Sequence, residues 1–147
     1  MSTHTLTPAG HDATDTHDVP TDTAGPHGLN RFWCGAFNAG DLAALMSTYE
    51  PDAVIVPGPG AEPLHGHAAI EAALSWFLGL GGTLRFEPRY WLEQGDLVLS
   101  SIAFVMDGGT DADGRPVDLR GVTAEVLRRQ PDGSWKYVID HPFGASS

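Results

Sequence analysis

The feature that most constrains this chain is the order of its two hydrophobic periods, helical first and alternating afterwards. Leu29, Phe32, Trp33, Ala36 and Phe37 fall at i, i+3, i+4, i+7 and i+8, one stripe of a first helix. Asn38-Ala39-Gly40 ends it, because glycine tolerates the left-handed C-terminal conformation. Asp41 can cap a second helix with Leu42, Leu45, Met46 and Tyr49 on one face, and Pro51 stops it. Ala53-Val54-Ile55-Val56 reads as a strand and Pro57-Gly58-Pro59-Gly60 as a loop. A third helix runs from about His67 to Leu78, with Ile70, Ala73, Leu74 and Phe77 on one side.

From Thr83 onward the chain reads as strands. Thr83 to Leu92 is β-favouring, and Gly95-Asp96 makes a turn. Val98 to Met106 alternates, with Ser100, Ile102, Phe104 and Met106 on one face and Leu99, Ser101, Ala103 and Val105 on the other. Asp107 to Pro116 is a polar loop, Val117 to Arg129 a third long strand, and Ser134 to Phe143 the last. The order α-α-β-α-β-β-β-β predicts an α+β fold, a curved antiparallel sheet wrapped over helices. Such a sheet leaves a concave, largely apolar pocket with a few polar groups, the usual form of a small-molecule site.

Composition narrows the function classes. The 147 residues fit one domain. Residues 1–26 hold seven Thr, four Asp and three His with no aromatic residue, so they read as a flexible acidic tail before a single domain over 27–147. Nineteen acids against eight bases give a formal charge of -11, which excludes nucleic acid and anionic membranes as natural partners. A single cysteine, Cys34, leaves no internal disulfide and no cysteine pair for zinc. His65 and His67 are too few for a metal site, and no phosphate loop or nicotinamide or flavin signature is present, so no metal or cofactor is expected. The N-terminal residues have neither a basic nor an apolar signal region, which points to a cytoplasmic protein.

Four segments carry a family resemblance. Asn38-Ala39-Gly40-Asp41-Leu42 with Tyr49-Glu50-Pro51-Asp52-Ala53-Val54 resembles the start of the SnoaL-like, ketosteroid-isomerase-like cone fold, which nuclear transport factor 2 shares. Leu64-His65-Gly66-His67-Ala68-Ala69-Ile70 resembles its entry to the third helix, and Leu127 to Val138 its final hairpin. His141-Pro142 resembles the ending of the SgcJ-type subgroup from enediyne gene clusters. The resemblance covers roughly residues 27–144 and implies the fold more than any one activity, since the superfamily hosts isomerases, cyclases, dehydratases and non-enzymatic partners. Aligned on these segments, the isomerase's tyrosine donor falls on Trp33, its aspartate base on Pro57 and its protonated aspartate on Glu125. Proline cannot take a proton from carbon, whereas a buried Glu125 could donate a hydrogen bond.

The remaining candidates follow from residue chemistry. His141 is the expected acid–base group, beside Asp140 at the end of the last strand. Adjacent strand residues face opposite ways, so only one of the two can line the pocket unless a bulge intervenes. Glu125 is the second catalytic candidate; its structural alternative is an ion pair with Arg89 or Arg120. Trp33, Tyr49, Phe77 and Trp91 are the aromatic candidates for ligand contact, and Arg89 and Arg120 could bind a carboxylate or enolate. The residues predict a small-molecule pocket protein with cofactor-free acid–base chemistry, and the resemblance to the enediyne-cluster subgroup implies a role in secondary metabolism, acting on or guiding a polyene or polycyclic polyketide. The alternatives are a non-catalytic carrier, an accessory to a polyketide synthase, or an oligomerisation module. A homodimer is expected in each case.

Overall fold

The computed structural model describes residues 25–146, so the expected tail lies outside the described residues except for its last two positions. Those two begin α1 (Gly25–Asn38), which is followed by α2 (Leu42–Met46), β1 (Tyr49–Ile55), β2 (Leu64–His65) and α3 (His67–Gly79). The strands β3 (Thr83–Gln94), β4 (Leu97–Asp107), β5 (Arg120–Val122), β6 (Ala124–Arg129) and β7 (Trp135–His141) complete the order. They form one sheet, β2-β1-β7-β6-β4-β3, with β5 also paired to β4. This is the α+β architecture that the two periods imply. One connection departs from the antiparallel expectation: β1 runs parallel to β7.

The local signals explain most element ends. Gly40 takes a φ of 71°, and Asp41 Oδ1 accepts the Ala44 amide at 3.0 Å, which caps α2. Tyr49 requires a correction: it lies on β1, not on the second helix. The Tyr137 amide donates to the Thr48 carbonyl at 2.7 Å, so pairing with β7 captures the chain before another helical turn forms. Pro51 is tolerated inside β1 because the β1–β7 register slips between Tyr49 and Val54, where no ladder N–H is required.

The expected strand over Val117–Arg129 is two strands. The register is nonetheless continuous, with Ala103 opposite Val122 and Ser100 opposite Glu125. At the break, Thr123 Oγ1 accepts the Ile102 amide at 2.9 Å, so a side chain replaces a ladder carbonyl. The alternation on β4 is observed: Ser100, Ile102, Phe104 and Met106 are buried on the concave face, while Leu99 is exposed on the convex one. Ser101 departs from it, because its hydroxyl donates to the Thr123 carbonyl and the side chain is buried. Leu45, Ile70, Leu74 and Leu127 join the two layers in the core. Truncating such a leucine to alanine costs about 2–5 kcal/mol.

Candidate active site

A cavity opens between α1, α3 and the concave face of the sheet. Its walls are Trp33 and Phe37 from α1, Leu74 and Phe77 from α3, and Leu84, Phe86, Ile102, Phe104 and Met106 from β3 and β4. Its volume is about 60 Å³. On that measure one water takes roughly 10–15 Å³, so the closed part holds a compact ligand or one end of a larger one. Only a few polar groups reach this apolar space, chiefly Glu125, Asp140, Thr123 and Tyr137.

Glu125 and Asp140 are cross-strand partners on β6 and β7, and both side chains face the cavity. Cross-strand partners sit with their Cβ atoms ~4.5–5.5 Å apart, so the two carboxyls share one microenvironment. Both are buried, with 4% and 8% of their surfaces exposed. Burial, reinforced by the neighbouring Asp140, pushes Glu125 up to about 8 despite the bond from Ser100. Burial pushes Asp140 up to about 6, opposed by the Tyr49 hydroxyl that donates to Oδ2 at 2.6 Å. At neutral pH the pair therefore holds about one proton, chiefly on Glu125, and about one negative charge, chiefly on Asp140. Trp33 Nε1 donates to the Tyr49 oxygen at 3.0 Å, so an indole, a phenol and a carboxylate form one chain. Tyr137 donates to Asn30 Oδ1 at the same end of the core.

The residues singled out in the sequence divide into two groups. Glu125, Trp33 and Phe77 line the cavity. Tyr49 is fully buried behind Asp140 and meets the site through its hydroxyl. The others lie elsewhere. Trp91 stacks on His27 with ring centroids 3.7 Å apart and is not part of the cavity wall. Arg120 is exposed and pairs with Asp118 at 2.8 Å, and Arg89 is exposed at the β3 bulge, so neither offers Glu125 a counter-charge. His141 lies opposite Ala124 on the convex side of the sheet, with its Nδ1 buried against Gly144 and without a hydrogen-bond partner among the described residues.

Asp140 is the residue that sequence reasoning passed over in favour of its neighbour. Strict alternation from Trp135 and Tyr137 puts His141 on the cavity face. The β6–β7 register instead steps between Val126 and Leu127, which leaves Val138 unpaired in a bulge. One extra residue exchanges the faces beyond it, so Asp140 turns inward and His141 outward. Among the described residues, no group of three or more His, Cys, Asp or Glu is placed to hold a metal.

The fold and cavity define a cone-shaped α+β pocket protein, and the comparisons with known proteins agree. The family model described as a SnoaL-like domain matches residues 29–138, and the chain belongs to that family. No curated protein sequence matches it. A ketosteroid isomerase-like protein from Erwinia carotovora atroseptica is 25% identical, over 78% of this chain and 89% of that one, with a TM-score of 0.64. A Thiobacillus denitrificans protein, named as a candidate calcium/calmodulin-dependent protein kinase type II association domain, is 25% identical over 80% and 92% of the two chains, with a TM-score of 0.66. A Streptomyces avermitilis protein, named as a candidate dehydratase of the NTF2-like family, is 22% identical over 77% and 88%, with a TM-score of 0.61.

Proposed function

We propose that this protein transfers protons on a small, largely apolar molecule without a cofactor, using Asp140 as base and Glu125 as acid. The buried carboxyl pair in an otherwise apolar cavity is the observation that carries the reading. A carboxylate near 6 and a carboxylic acid near 8 are matched in opposite senses to work near neutral pH. Such a pair supports isomerisation, cyclisation or dehydration, in which a proton leaves one atom and another arrives elsewhere. The ligand would be a compact metabolite or the reacting end of a larger one, of the polyketide kind that the enediyne-cluster resemblance implies.

The test is incubation with a polyketide producer's extract in D2O, followed by mass spectrometry. The expected result is deuterium uptake or a mass change in one component, lost in Asp140→Asn. Loss in His141→Ala with retention in Asp140→Asn would return the acid–base role to the histidine. A ligand retained without chemical change in the native protein would make this a carrier.

A second property has its own support. Leu92, Leu99, Val126, Ile139 and Val54 are successive partners across five strands, a continuous apolar row on the convex face. Leu92, Leu99 and Ile139 are 60%, 38% and 40% exposed. Two charges of these strands are paired within the chain, Arg128 with Glu50 and Arg85 with Asp107. An exposed apolar row of this length suits a second copy of itself better than a charged partner. The naming of a similar fold as a candidate association domain supports the same reading. The sheet face is accordingly the proposed homodimer interface.

A further inference from the structure

The charge balance of the cavity constrains what enters it. Among the described residues no Lys, Arg or His lines it, while two carboxyls do. Asp140 Oδ2 is held by Tyr49, and no described group donates to Oδ1, although the side chain faces the cavity and is more than nine-tenths buried. A ligand without a donor would strip water from that oxygen and supply nothing in return, a neutral donor would leave its charge unbalanced, and an anion would add repulsion. The walls point the same way. Trp33 stacks on Phe37 at 5.4 Å and near Phe86 at 5.9 Å, and Phe77 and Phe104 complete the aromatic lining. The Trp33 N–H is spent on Tyr49 and offers the ligand no donor, while an aromatic lining as a whole favours a cation over an anion.

We propose that the ligand is a compact apolar monocation, a protonated amine or an iminium, whose positive end sits between Glu125 and Asp140. This rests on the acid–base reading of the same cavity and narrows its substrate class. The apolar body of the ligand occupies the aromatic end, and its cationic N–H groups meet the Asp140 oxygen that has no other donor. The site's single negative charge matches a single positive one. In an iminium, the cation also makes the neighbouring C–H more acidic, within reach of the base that the mechanism already assigns. The net charge of -11 draws cations toward the molecule from a distance.

The test compares three ring-matched probes on the full chain at pH 7.5: cyclopentylamine, cyclopentanol and cyclopentanone. Calorimetry in two buffers of different ionisation enthalpy reads affinity and proton exchange, and the Trp33 indole resonance reports whether the probe reaches the cavity. The expected result is amine binding at least tenfold tighter than either neutral probe, with little net proton exchange and a shifted Trp33 signal. Asp140→Asn should reduce amine affinity toward that of the alcohol, whereas Glu125→Gln, which replaces a neutral acid by a neutral amide, should largely keep it and so controls for a folding defect. Cyclopentanone or cyclopentanol binding as tightly as the amine would overturn the inference and leave the acid–base reading standing. Binding of none of the three, with Trp33 unmoved, would overturn both. Amine binding that leaves Trp33 unmoved and survives in Asp140→Asn is surface attraction, and it would overturn the inference alone.

Discussion

Replacing Glu125 by glutamine should make the protein more resistant to alkaline pH. The carboxyl ionises near its ordinary value of 4.5 in the unfolded chain but at about 8 in the folded one. Between those values the unfolded state releases a proton that the folded state keeps. The contribution of this group is therefore greatest below pH 4.5 and falls as pH rises toward 8, after which it levels off. Each pH unit in that window costs about 1.4 kcal/mol, so from pH 5 to pH 9 this group removes about 4 kcal/mol. That is a large part of the ~5–15 kcal/mol that holds a domain together. Glutamine has nearly the same shape, its oxygen can still accept from Ser100, and it has no proton to lose. Urea unfolding at pH 5, 7 and 9 should show a wild-type midpoint that falls steeply and a Glu125→Gln midpoint that falls much less, the two curves separating with pH. Parallel curves would show that Glu125 ionises normally, and the reasoning about the pair would fail.

Other perturbations probe the rest of the site and fold. Tyr49→Phe removes the donor to Asp140 Oδ2, so the Asp140 midpoint should rise above about 6 and stability above that pH should drop by about 1.5–3 kcal/mol, read by carboxyl NMR and urea titration. Leu74→Ala, at a core position that also walls the cavity, should cost about 2–5 kcal/mol in thermal or urea unfolding and enlarge the ligand space. Leu99→Asp places a charge in the middle of the convex apolar row, so sedimentation should show monomers while unfolding changes by no more than about 0.5 kcal/mol in the monomer. A wild type that sediments as a monomer at micromolar concentration would remove the dimer proposal.

The sequence carried the architecture because the architecture depends on long-range periodicity. The helical stripe of α1, the alternation of β4 and the turn at Gly133 all follow from residue spacing. The candidate site was only half legible. Glu125 was reachable because it lies on a regular stretch of β6 opposite Ser100. Asp140 was not, because its facing depends on a bulge at Val138 that no glycine or proline marks. Tyr49 was assigned to a helix because Leu42, Leu45 and Met46 continue naturally into it, whereas its strand position is decided by β7, about ninety residues later in the chain. Arg89 and Arg120 looked like cavity cations because they fall within strands, but both are exposed.

The central claim is that two carboxyls in one apolar cavity divide a single proton near neutral pH. Carbon-13 labelling of the Asp and Glu side-chain carboxyls, followed by NMR from pH 3 to pH 10, tests it most directly. The account predicts two coupled titrations, one near 6 and one near 8, the upper one lost in Glu125→Gln and the lower one lost in Asp140→Asn. If every carboxyl in the folded protein titrates below pH 5, the pair is fully ionised at neutral pH, and it is not the acid–base site described above.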